Sequence, residues 1–250
     1  EAKMKNQSYR YYAVGDIHGR LDLTKQLISK IEKDILKYPE DKPILIFLGD
    51  YIDRGPDSKG VIDILISLKK KYECVFLKGN HEDILLMFLN DAKKGPLWLI
   101  NGGIETIKSY GIKEISEEDE NNNYPELQSQ LLKKISKDHL NFFKNTLQLT
   151  FEIKNYLFVH AGVRFDIPIN KQKKQDLLWI REPFLSEDTN FGKIIVHGHS
   201  ISEKDPDIKS NRIGIDTGAY YTNILTCLVI AGDKTYFLNN LVPLMSKILS

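Results

Sequence analysis

The sequence predicts an α/β fold in which two mixed β-sheets pack together and helices cover their outer faces. Strands and helices alternate over the first 90 residues, and the last third of the chain is rich in strands joined by short turns. The 250 residues are 42% hydrophobic and 28% charged, which excludes a disordered chain, a collagen and a coiled coil. We expect a single domain over residues 1–250, with a helical insertion at about 111–146.

The first part of the chain alternates between short apolar runs and amphipathic stretches. The runs are too short for helices and predict buried strands, whereas the stretches between them repeat apolar residues at a nearly helical period. The predicted strands are residues 10–15, 44–48 and 73–77, and the predicted helices are residues 21–38, 57–71 and 82–90. This order indicates parallel strands joined by right-handed helical crossovers.

The rest of the chain changes character. Residues 114–123 are acidic and low in complexity, which predicts a loop between helices at 101–110 and 125–146. The last third predicts strands at residues 147–153, 156–160, 193–197, 212–216, 222–230 and 234–238. The tail after Asn239 is short and amphipathic, and we expect it to cap the fold rather than to bind a membrane.

Charge and cysteine content narrow the class of protein. Lys and Arg number 35 against 34 Asp and Glu, so no basic excess points to nucleic acid or to a membrane surface. No apolar run approaches the roughly 20 residues of a membrane span. Cys74 and Cys227 lie in apolar runs and are expected to be reduced core residues, with a disulfide in a secreted protein as the alternative. The expectation is a cytoplasmic protein that is monomeric.

Side chains that can bind metal follow five of the predicted strands. They are Asp16 with His18, Asp50, Asn80 with His81, His160, and His197 with His199. Each alone has an ordinary structural explanation, but five of the six histidines stand at strand ends, which converge on the ligand-binding edge of open α/β sheets. Oxygen and nitrogen donors without a thiolate suit Mn²⁺, Fe²⁺ or Zn²⁺. Six ligands exceed the needs of one tetrahedral ion, so the pattern favours two ions about 3.5–4 Å apart that share a carboxylate and hold a hydroxide.

The amino-acid sequences of these segments resemble those of a known family. Gly15–Gly19, Gly49–Gly55 and Gly79–Glu82 match the motifs GDxHG, GDxxDRG and GNHE, and two later histidine motifs match His160-Ala161-Gly162 and Gly198-His199. With these motifs the chain resembles the phosphoprotein phosphatase (PPP) family of calcineurin-like metallophosphoesterases, most of all the bacterial and bacteriophage lambda-type serine/threonine protein phosphatases. Shorter likenesses occur at Trp98–Gly103, Trp179–Glu182 and Ile215–Ala219. The resemblance implies a four-layer fold of two packed mixed sheets flanked by helices.

The resemblance also implies roles for single residues. It assigns one metal ion to Asp16, His18 and a bridging Asp50, and a second ion to Asp50, Asn80, His160 and His199. It makes His81 the general acid, held by Asp53, with a further metal ligand as the alternative for His81. It places Arg54 and Arg181, with Asn80, on the substrate phosphate, where two guanidinium groups would stabilise the charge of the transferring group. Mn²⁺ is the expected metal, and Fe or Zn is possible.

Three residues near these positions have other expected roles. His197 would point to the opposite side of its strand from the ligands, so a structural role is preferred to a catalytic one. Glu82 would support the site or act as an acid in the first turn of a helix. Arg20 stands at a helix start and is a weaker candidate for substrate contact.

Several functions fit these residues, and the sequence favours one of them. The main hypothesis is hydrolysis of phosphoserine and phosphothreonine in proteins, by in-line attack of a hydroxide between the metals and with a histidine acid. The alternative is a bis(5'-nucleosyl)-tetraphosphatase, a branch whose second motif usually lacks the aspartate found here as Asp53, and whose third motif has Asp where this chain has Glu82. A phosphodiesterase or nuclease fits less well with two phosphate arginines, and a catalytically dead scaffold would have lost a ligand. The expected partner is a phosphoprotein substrate, without nucleic acid or membrane.

Overall fold

Ten strands form two five-stranded sheets in the computed structural model, which describes residues 7–112 and 123–241. The strands are β1 (Tyr9–Val14), β2 (Lys42–Phe47), β3 (Glu73–Phe76), β4 (Thr150–Ile153), β5 (Tyr156–Val159), β6 (Ile194–His197), β7 (Asp207–Ile208), β8 (Arg212–Gly214), β9 (Thr226–Ala231) and β10 (Lys234–Asn239). The first sheet has the order β10-β9-β1-β2-β3 and the second β4-β5-β6-β8-β7. Both are mixed, because β1, β2 and β3 are parallel, as are β5, β6 and β8, while the remaining strands pair antiparallel.

Helices connect the strands and cover the sheets. They are α1 (Leu21–Lys37), α2 (Ser58–Lys71), α3 (Asn80–Asn90), α4 (Gly95–Trp98), α5 (Ile104–Ser109), α6 (Tyr124–Lys134), α7 (Lys137–Asn141), α8 (Lys174–Trp179) and α9 (Ala219–Thr222). Short 3₁₀ turns lie at Ala92–Lys94 and Ile169–Lys171, and π-helical turns at Leu99–Gly103 and Phe142–Thr146. None of the helices in the described ranges is long and apolar enough to cross a membrane.

The buried apolar residues form three clusters that define four layers. One cluster lies between the sheets and takes residues from both, including Ile46, Phe158 and Val196. A second joins the outer face of the first sheet to α1, α2, α3 and the helices of the insertion. The third joins the outer face of the second sheet to α8 and the segment that follows it. The predicted fold of two packed mixed sheets flanked by helices is therefore confirmed.

Several predicted elements have different boundaries, for local reasons. The predicted helix 101–110 is only α5, because Gly102 has a φ of 94° and interrupts the helical path. The predicted helix 125–146 divides into α6 and α7, where the Ser136 side chain accepts from His139 N and begins a new helix. The predicted strand 222–230 starts late, because α9 and the left-handed Asn223 precede it. The strands predicted at 147–153 and 212–216 are also shorter, because β4 begins only at residue 150 and β8 ends at residue 214. The sequence did not predict β7 or α8.

Two further predictions can be compared only in part. The acidic loop predicted at 114–123 lies outside the described residues except for Asn123, whose side chain caps α6. Most of the tail after Asn239 also lies outside them. Cys74 and Cys227 are both free, as expected, but only Cys227 is a buried core residue, whereas Cys74 is half-buried.

Candidate active site

The ends of five strands from both sheets bring the predicted ligands to one place. Asp16 and His18 follow β1, Asp50 follows β2, and Asn80 begins α3 just after β3. His160 follows β5 and His199 follows β6. Each of these six residues is at least nine-tenths buried. They converge because β1, β2 and β3 run parallel in one sheet, as β5 and β6 do in the other.

Asp50 lies at the centre of this cluster. Its carboxylate is 3.5 Å from His18 Nε2, 3.4 Å from His160 Nε2 and 3.8 Å from His81 Nε2. Burial by itself raises the pKa of Asp50, but the surrounding imidazoles outweigh burial and lower that pKa below its ordinary value. Asp50 is thus an ionised carboxylate that faces both halves of the cluster, as a bridging ligand must.

Two groups of possible ligands share this carboxylate. In the part of the chain that the structure describes, the groups with ligand atoms within 4.8 Å of one another are His18, Asp50 and His81, and Asp50, His160 and His199. Asn80 joins the second group, because its Oδ1 lies 2.9 Å from His160 Nε2 and 3.0 Å from His199 Nδ1. Asp16 Oδ2 accepts a hydrogen bond of 3.0 Å from His199 N. All six predicted ligands therefore meet at one site, with His81 beside the first group.

Backbone carbonyls orient two of the histidines. His18 Nδ1 lies 2.9 Å from Ile52 O, and His160 Nδ1 lies 2.9 Å from Leu48 O. A carbonyl only accepts, so each Nδ1 carries the proton and each Nε2 presents a lone pair toward Asp50, and at His160 toward Asn80 Oδ1 as well. Burial lowers the pKa of His18 to about 3, which keeps its ring in the neutral form that binds metal.

The possible metal-ligand atoms that have no hydrogen-bond partner fit divalent metal ions. Asp16 Oδ1 and His199 Nε2 are buried and have no hydrogen-bond partner in the structure. Burial, with the charges of Asp216 and Asp50, raises the pKa of Asp16 well above its ordinary value, so a nearby cation would stabilise its ionised form. Burial lowers the pKa of His199 to about 3. A neutral imidazole and a carboxylate without partners, among further oxygen and nitrogen donors, form a set that Mn²⁺, Fe²⁺ or Zn²⁺ can occupy.

Left-handed backbone is concentrated at this site. Six non-glycine residues of the described ranges have positive φ, and five of them carry site side chains: His18 at 45°, Asp50 at 50°, Asp53 at 71°, Arg54 at 69° and His199 at 61°. Such conformations cost about 1–3 kcal/mol each and persist where surrounding contacts hold them. Here the loops hold one another, since the amides of Ile17 and His18 both donate to Asp50 O. The strand ends turn sharply in this way to aim their side chains at the cluster.

His81 is held from one side by a buried carboxylate. Its Nδ1 lies 2.7 Å from Asp53 Oδ2, and Asp53 also accepts from Trp98 Nε1 at 3.1 Å and from Thr106 Oγ1 at 2.6 Å. Burial lowers the pKa of His81, but the charges of Asp50 and Asp53 and the hydrogen bond to Asp53 outweigh it and raise that pKa. This arrangement leaves Nε2 toward the cluster with a proton to give, which agrees with a general acid. The sequence did not identify Thr106 at all, and Trp98 only as part of a similar segment.

Glu82 joins the loops that carry the ligands. Its side chain is fully buried and accepts from the backbone amides of Asp50 at 2.9 Å, Tyr51 at 2.8 Å and Gly79 at 2.9 Å. It therefore lies in the first turn of α3 and also fixes the loop of Asp50, so both suggestions made for Glu82 hold together.

The two predicted phosphate arginines are exposed at the rim. The Arg54 guanidinium lies 4.8 Å from the centroid of the Tyr220 ring, and Arg181 Nη2 lies 3.5 Å from His199 O. Neither makes a salt bridge within residues 7–112 and 123–241, so both charges can meet an anion. Arg20 differs, because its guanidinium is occupied by Asp22, by Ala219 O and by Asn223 Oδ1. Arg20 therefore stabilises the position of α9.

His197 points away from the cluster, as predicted. Its ring packs against Phe184 at a centroid distance of 5.0 Å, and its Nε2 lies 3.3 Å from Arg212 Nη1. Ile195, two residues earlier on the same strand face, belongs to the outer apolar cluster with Phe184. Burial lowers the pKa of His197 to about 4. These surroundings agree with a structural role.

Comparison with known proteins gives three findings. The family model described as calcineurin-like phosphoesterase matches residues 9–222. Among curated proteins, the chain is similar to bis(5'-nucleosyl)-tetraphosphatase PrpE (asymmetrical) of Anoxybacillus flavithermus, with 28% identity over 95% of this chain and 97% of that protein. A protein of the same name from Halalkalibacterium halodurans is 24% identical over 94% of this chain and 95% of its own length.

Solved structures of similar fold belong to proteins with different named activities. A putative diadenosine tetraphosphatase has a TM-score of 0.60 and 21% identity, covering 94% of this chain and 95% of that one. A cold-active protein-tyrosine phosphatase of a psychrophilic Shewanella has a TM-score of 0.59 and 14% identity, covering 92% of this chain and 77% of that one. These structures support the fold. The curated relatives carry the name that the sequence analysis held as the alternative, rather than that of a serine/threonine protein phosphatase.

Proposed function

The chain belongs to the calcineurin-like phosphoesterase family, and we propose that it hydrolyses dinucleoside tetraphosphates asymmetrically, into a nucleoside monophosphate and a nucleoside triphosphate. The observation that carries this proposal is the end-to-end likeness to proteins of that name, over 95% of this chain and 97% of the relative from Anoxybacillus flavithermus. Such coverage includes the strand ends, the insertion and the β-rich last third together.

The buried positions of two residues weaken the motif argument for a protein phosphatase. That argument depended on Asp53 in the second motif and on Glu82 in the third. Asp53 is fully buried against His81, Trp98 and Thr106, and Glu82 is fully buried against three backbone amides. Neither side chain faces the rim where the substrate would lie. Their identity therefore reports how the site is held, and it does not distinguish a phosphoprotein from a dinucleotide.

The site supplies what hydrolysis of a phosphoanhydride requires. Divalent ions held by Asp16, His18, Asp50, Asn80, His160 and His199 would bring positive charge to the phosphate and activate the attacking water. Arg54 and Arg181 bind the phosphate oxygens at the rim, where the polyphosphate chain carries several negative charges. The water oxygen forms a bond to one phosphorus, the bond from that phosphorus to the next bridging oxygen breaks, and the proton that the water loses to solvent balances the one that the leaving oxygen receives. One molecule of water is consumed, and the two nucleotides leave.

His81 gives its proton to the departing oxygen. Asp53 fixes the ring through Nδ1, so Nε2 is the atom that donates. A terminal polyphosphate is a stable anion and needs this proton much less than an alkoxide does. Protonation by His81 thus matters most for poor leaving groups. For the proposed substrate, hydrolysis depends more on the positive charges of the metal ions and the two arginines.

The test compares three substrates with one preparation. The protein is assayed with Mn²⁺ on diadenosine tetraphosphate, a phosphoserine peptide and a phosphotyrosine peptide, and Asp50→Asn serves as the control for contaminating activity. We expect the highest kcat/KM on diadenosine tetraphosphate, with AMP and ATP formed in equal amounts. Formation of ADP alone would contradict asymmetric cleavage. A higher kcat/KM on either peptide would replace the proposal with a protein phosphatase.

A further inference from the structure

An exposed aromatic ring and an exposed aliphatic side chain lie side by side at the rim. Tyr221 on α9 is 49% exposed and Ile201 is 37% exposed. Both pack around Gly218, where a Cβ atom would lie 2.5 Å from Tyr221 Cε1 and 3.0 Å from Ile201 Cγ2. The glycine has a φ of 71°, so it provides both the turn and the space. We refer to Tyr221 and Ile201 as the rim platform.

Tyr220 connects the rim platform to the phosphate site. Its ring is 5.3 Å from the Tyr221 ring and 5.5 Å from the His18 ring, and the Arg54 guanidinium lies 4.8 Å from it. Tyr221 is therefore one ring away from a phosphate arginine and two ring contacts away from a metal ligand. Ile201 is connected to the cluster through the chain itself, because it follows the candidate ligand His199 by two residues.

The turn that presents the platform is fixed from several sides. Arg20 Nη1 donates to Ala219 O at 2.9 Å and to Asn223 Oδ1 at 2.7 Å, so it holds both ends of α9. Gly218 N donates to Asp216 Oδ1 at 2.9 Å. An exposed ring on a fixed turn loses little conformational freedom when a ligand covers it. This distinguishes Tyr221 from an aromatic ring on a loose surface loop.

We propose that the rim platform stacks one nucleobase of the substrate while the phosphates attached to that nucleoside reach Arg54 and the metal cluster. The inference rests on the proposed function and names the part of the substrate that the catalytic residues do not bind. In a nucleotide, a flat aromatic base lies one ribose away from an anionic phosphate. The site shows the matching sequence of a flat partly exposed ring, an intervening ring and a free guanidinium. Aromatic side chains stack every base, so we expect tolerance of different nucleobases.

The test separates binding of the base from binding of the phosphate. Tyr221→Ala is expected to raise KM for diadenosine tetraphosphate about ten-fold, with a much smaller change in kcat/KM for para-nitrophenyl phosphate, which has no base. Tyr221→Phe keeps the ring and should recover most of the lost affinity. Tyr9→Ala removes a tyrosine of similar exposure at the start of β1, at the other end of the sheet, and is the control with unchanged kinetics.

Inhibition gives a second measurement that does not depend on the cleavage step. For the unmodified protein, AMP should inhibit hydrolysis of para-nitrophenyl phosphate about ten-fold more strongly than ribose 5-phosphate. In Tyr221→Ala the two inhibition constants should become similar, and Ile201→Asp should reduce the preference as well. Thermal melting of each variant shows that it is folded.

The outcomes distinguish this inference from the proposed function. If diadenosine tetraphosphate is a good substrate but Tyr221→Ala leaves its KM unchanged, only the rim platform is wrong. Equal losses of Tyr221→Ala on diadenosine tetraphosphate and para-nitrophenyl phosphate would also overturn the platform, because the ring would then support the phosphate site. If the unmodified protein does not hydrolyse diadenosine tetraphosphate, the proposed function fails and the platform fails with it.

Discussion

At the scale of single residues, the site depends on one carboxylate that faces two sets of ligands and one histidine with two possible roles. Asp50 lies within 4 Å of three histidines that come from both sheets. His81 contacts Asp53 through one nitrogen and faces Asp50 with the other. Substitutions at these positions therefore separate metal binding from proton transfer.

We predict that Asp50→Asn loses both metal ions and nearly all activity. The amide keeps the shape of the side chain but removes the negative charge that both ions would share. It also replaces one oxygen, whose lone pair could bind metal, with an NH2 group that cannot. Metal content by mass spectrometry, with activity on diadenosine tetraphosphate, measures the effect. Arg181→Ala is the matched control, because arginine is not a ligand and the variant should keep its metal while kcat/KM falls about 100-fold. A metal-free Arg181→Ala protein would favour a structural role for that arginine.

We predict that His81→Asn keeps both metals and loses activity in proportion to the need of the leaving group for a proton. The activity of the variant on phenyl phosphate should fall more than its activity on para-nitrophenyl phosphate, because nitrophenolate is already a stable anion. Asp53→Asn should show the same dependence more weakly, since Asp53 acts through the charge and orientation of the ring. Parallel assays of both esters and a metal analysis are needed. Equal losses on both esters, together with loss of one metal, would identify His81 as a ligand.

At the scale of elements, short turns after the strands determine where the functional side chains point. β6 illustrates this, because two histidines separated by one glycine at its end point to different environments. His197 is buried against Phe184 and Arg212, whereas His199 reaches Asn80 through the left-handed turn that follows the strand. A residue count along the strand would place both histidines on one face, so the left-handed turn at His199 is what separates the ligand from the structural histidine.

We predict that His197 makes the second sheet sensitive to acid. Burial lowers its pKa to about 4 in the folded protein, against about 6.5 in the unfolded chain. The unfolded chain binds the proton first, so stability is fully present above pH 6.5 and is lost as pH falls toward 4, by about 3 kcal/mol in all. Urea unfolding with chelator present, from pH 7 to pH 4.5, measures this loss. His197→Gln should show a shallower decline, and identical pH dependence in the two proteins would refute the assignment.

The sequence predicted well where the strands lie and that the six candidate ligands come together, because both depend on local patterns. Short apolar runs identify buried strands, and a ligand that directly follows a strand must lie at the sheet edge. Contacts between distant positions could not be predicted in this way. Trp98 and Thr106 reach Asp53 across 45 and 53 residues of chain, and the left-handed backbone at Asp50 and His199 depends on the neighbouring loops. The preference for a phosphoprotein substrate depended on Asp53 and Glu82, and the structure shows both side chains as buried supports of the site that do not face the rim.

At the scale of the whole molecule, the candidate metal cluster spans the two sheets. Asp16, His18, Asp50 and Asn80 follow strands of the first sheet, and His160 and His199 follow strands of the second. Apolar residues join the sheets along their inner faces, but at the carboxyl edge the contacts between them run through these polar side chains. Two buried polar atoms at that edge, Asp16 Oδ1 and His199 Nε2, have no hydrogen-bond partner and weaken the protein without metal, since a buried polar atom without a hydrogen bond is costly. Divalent ions would therefore connect the sheets as well as serve catalysis.

We predict from this that divalent metal stabilises the whole fold and that chelation lowers its Tm. An ion that binds the folded state only adds about 2.7 kcal/mol of stability at a free concentration of 100 times its Kd. Melting curves with chelator and with rising Mn²⁺ should show a Tm that increases with metal concentration. Asp50→Asn should lose most of this increase, because it weakens the ligand shared between the two groups, while Arg181→Ala should keep it. If the increase were the same in Asp50→Asn, the stabilising ions would bind elsewhere, and the cluster at the sheet edge would not be what joins the two halves of the molecule.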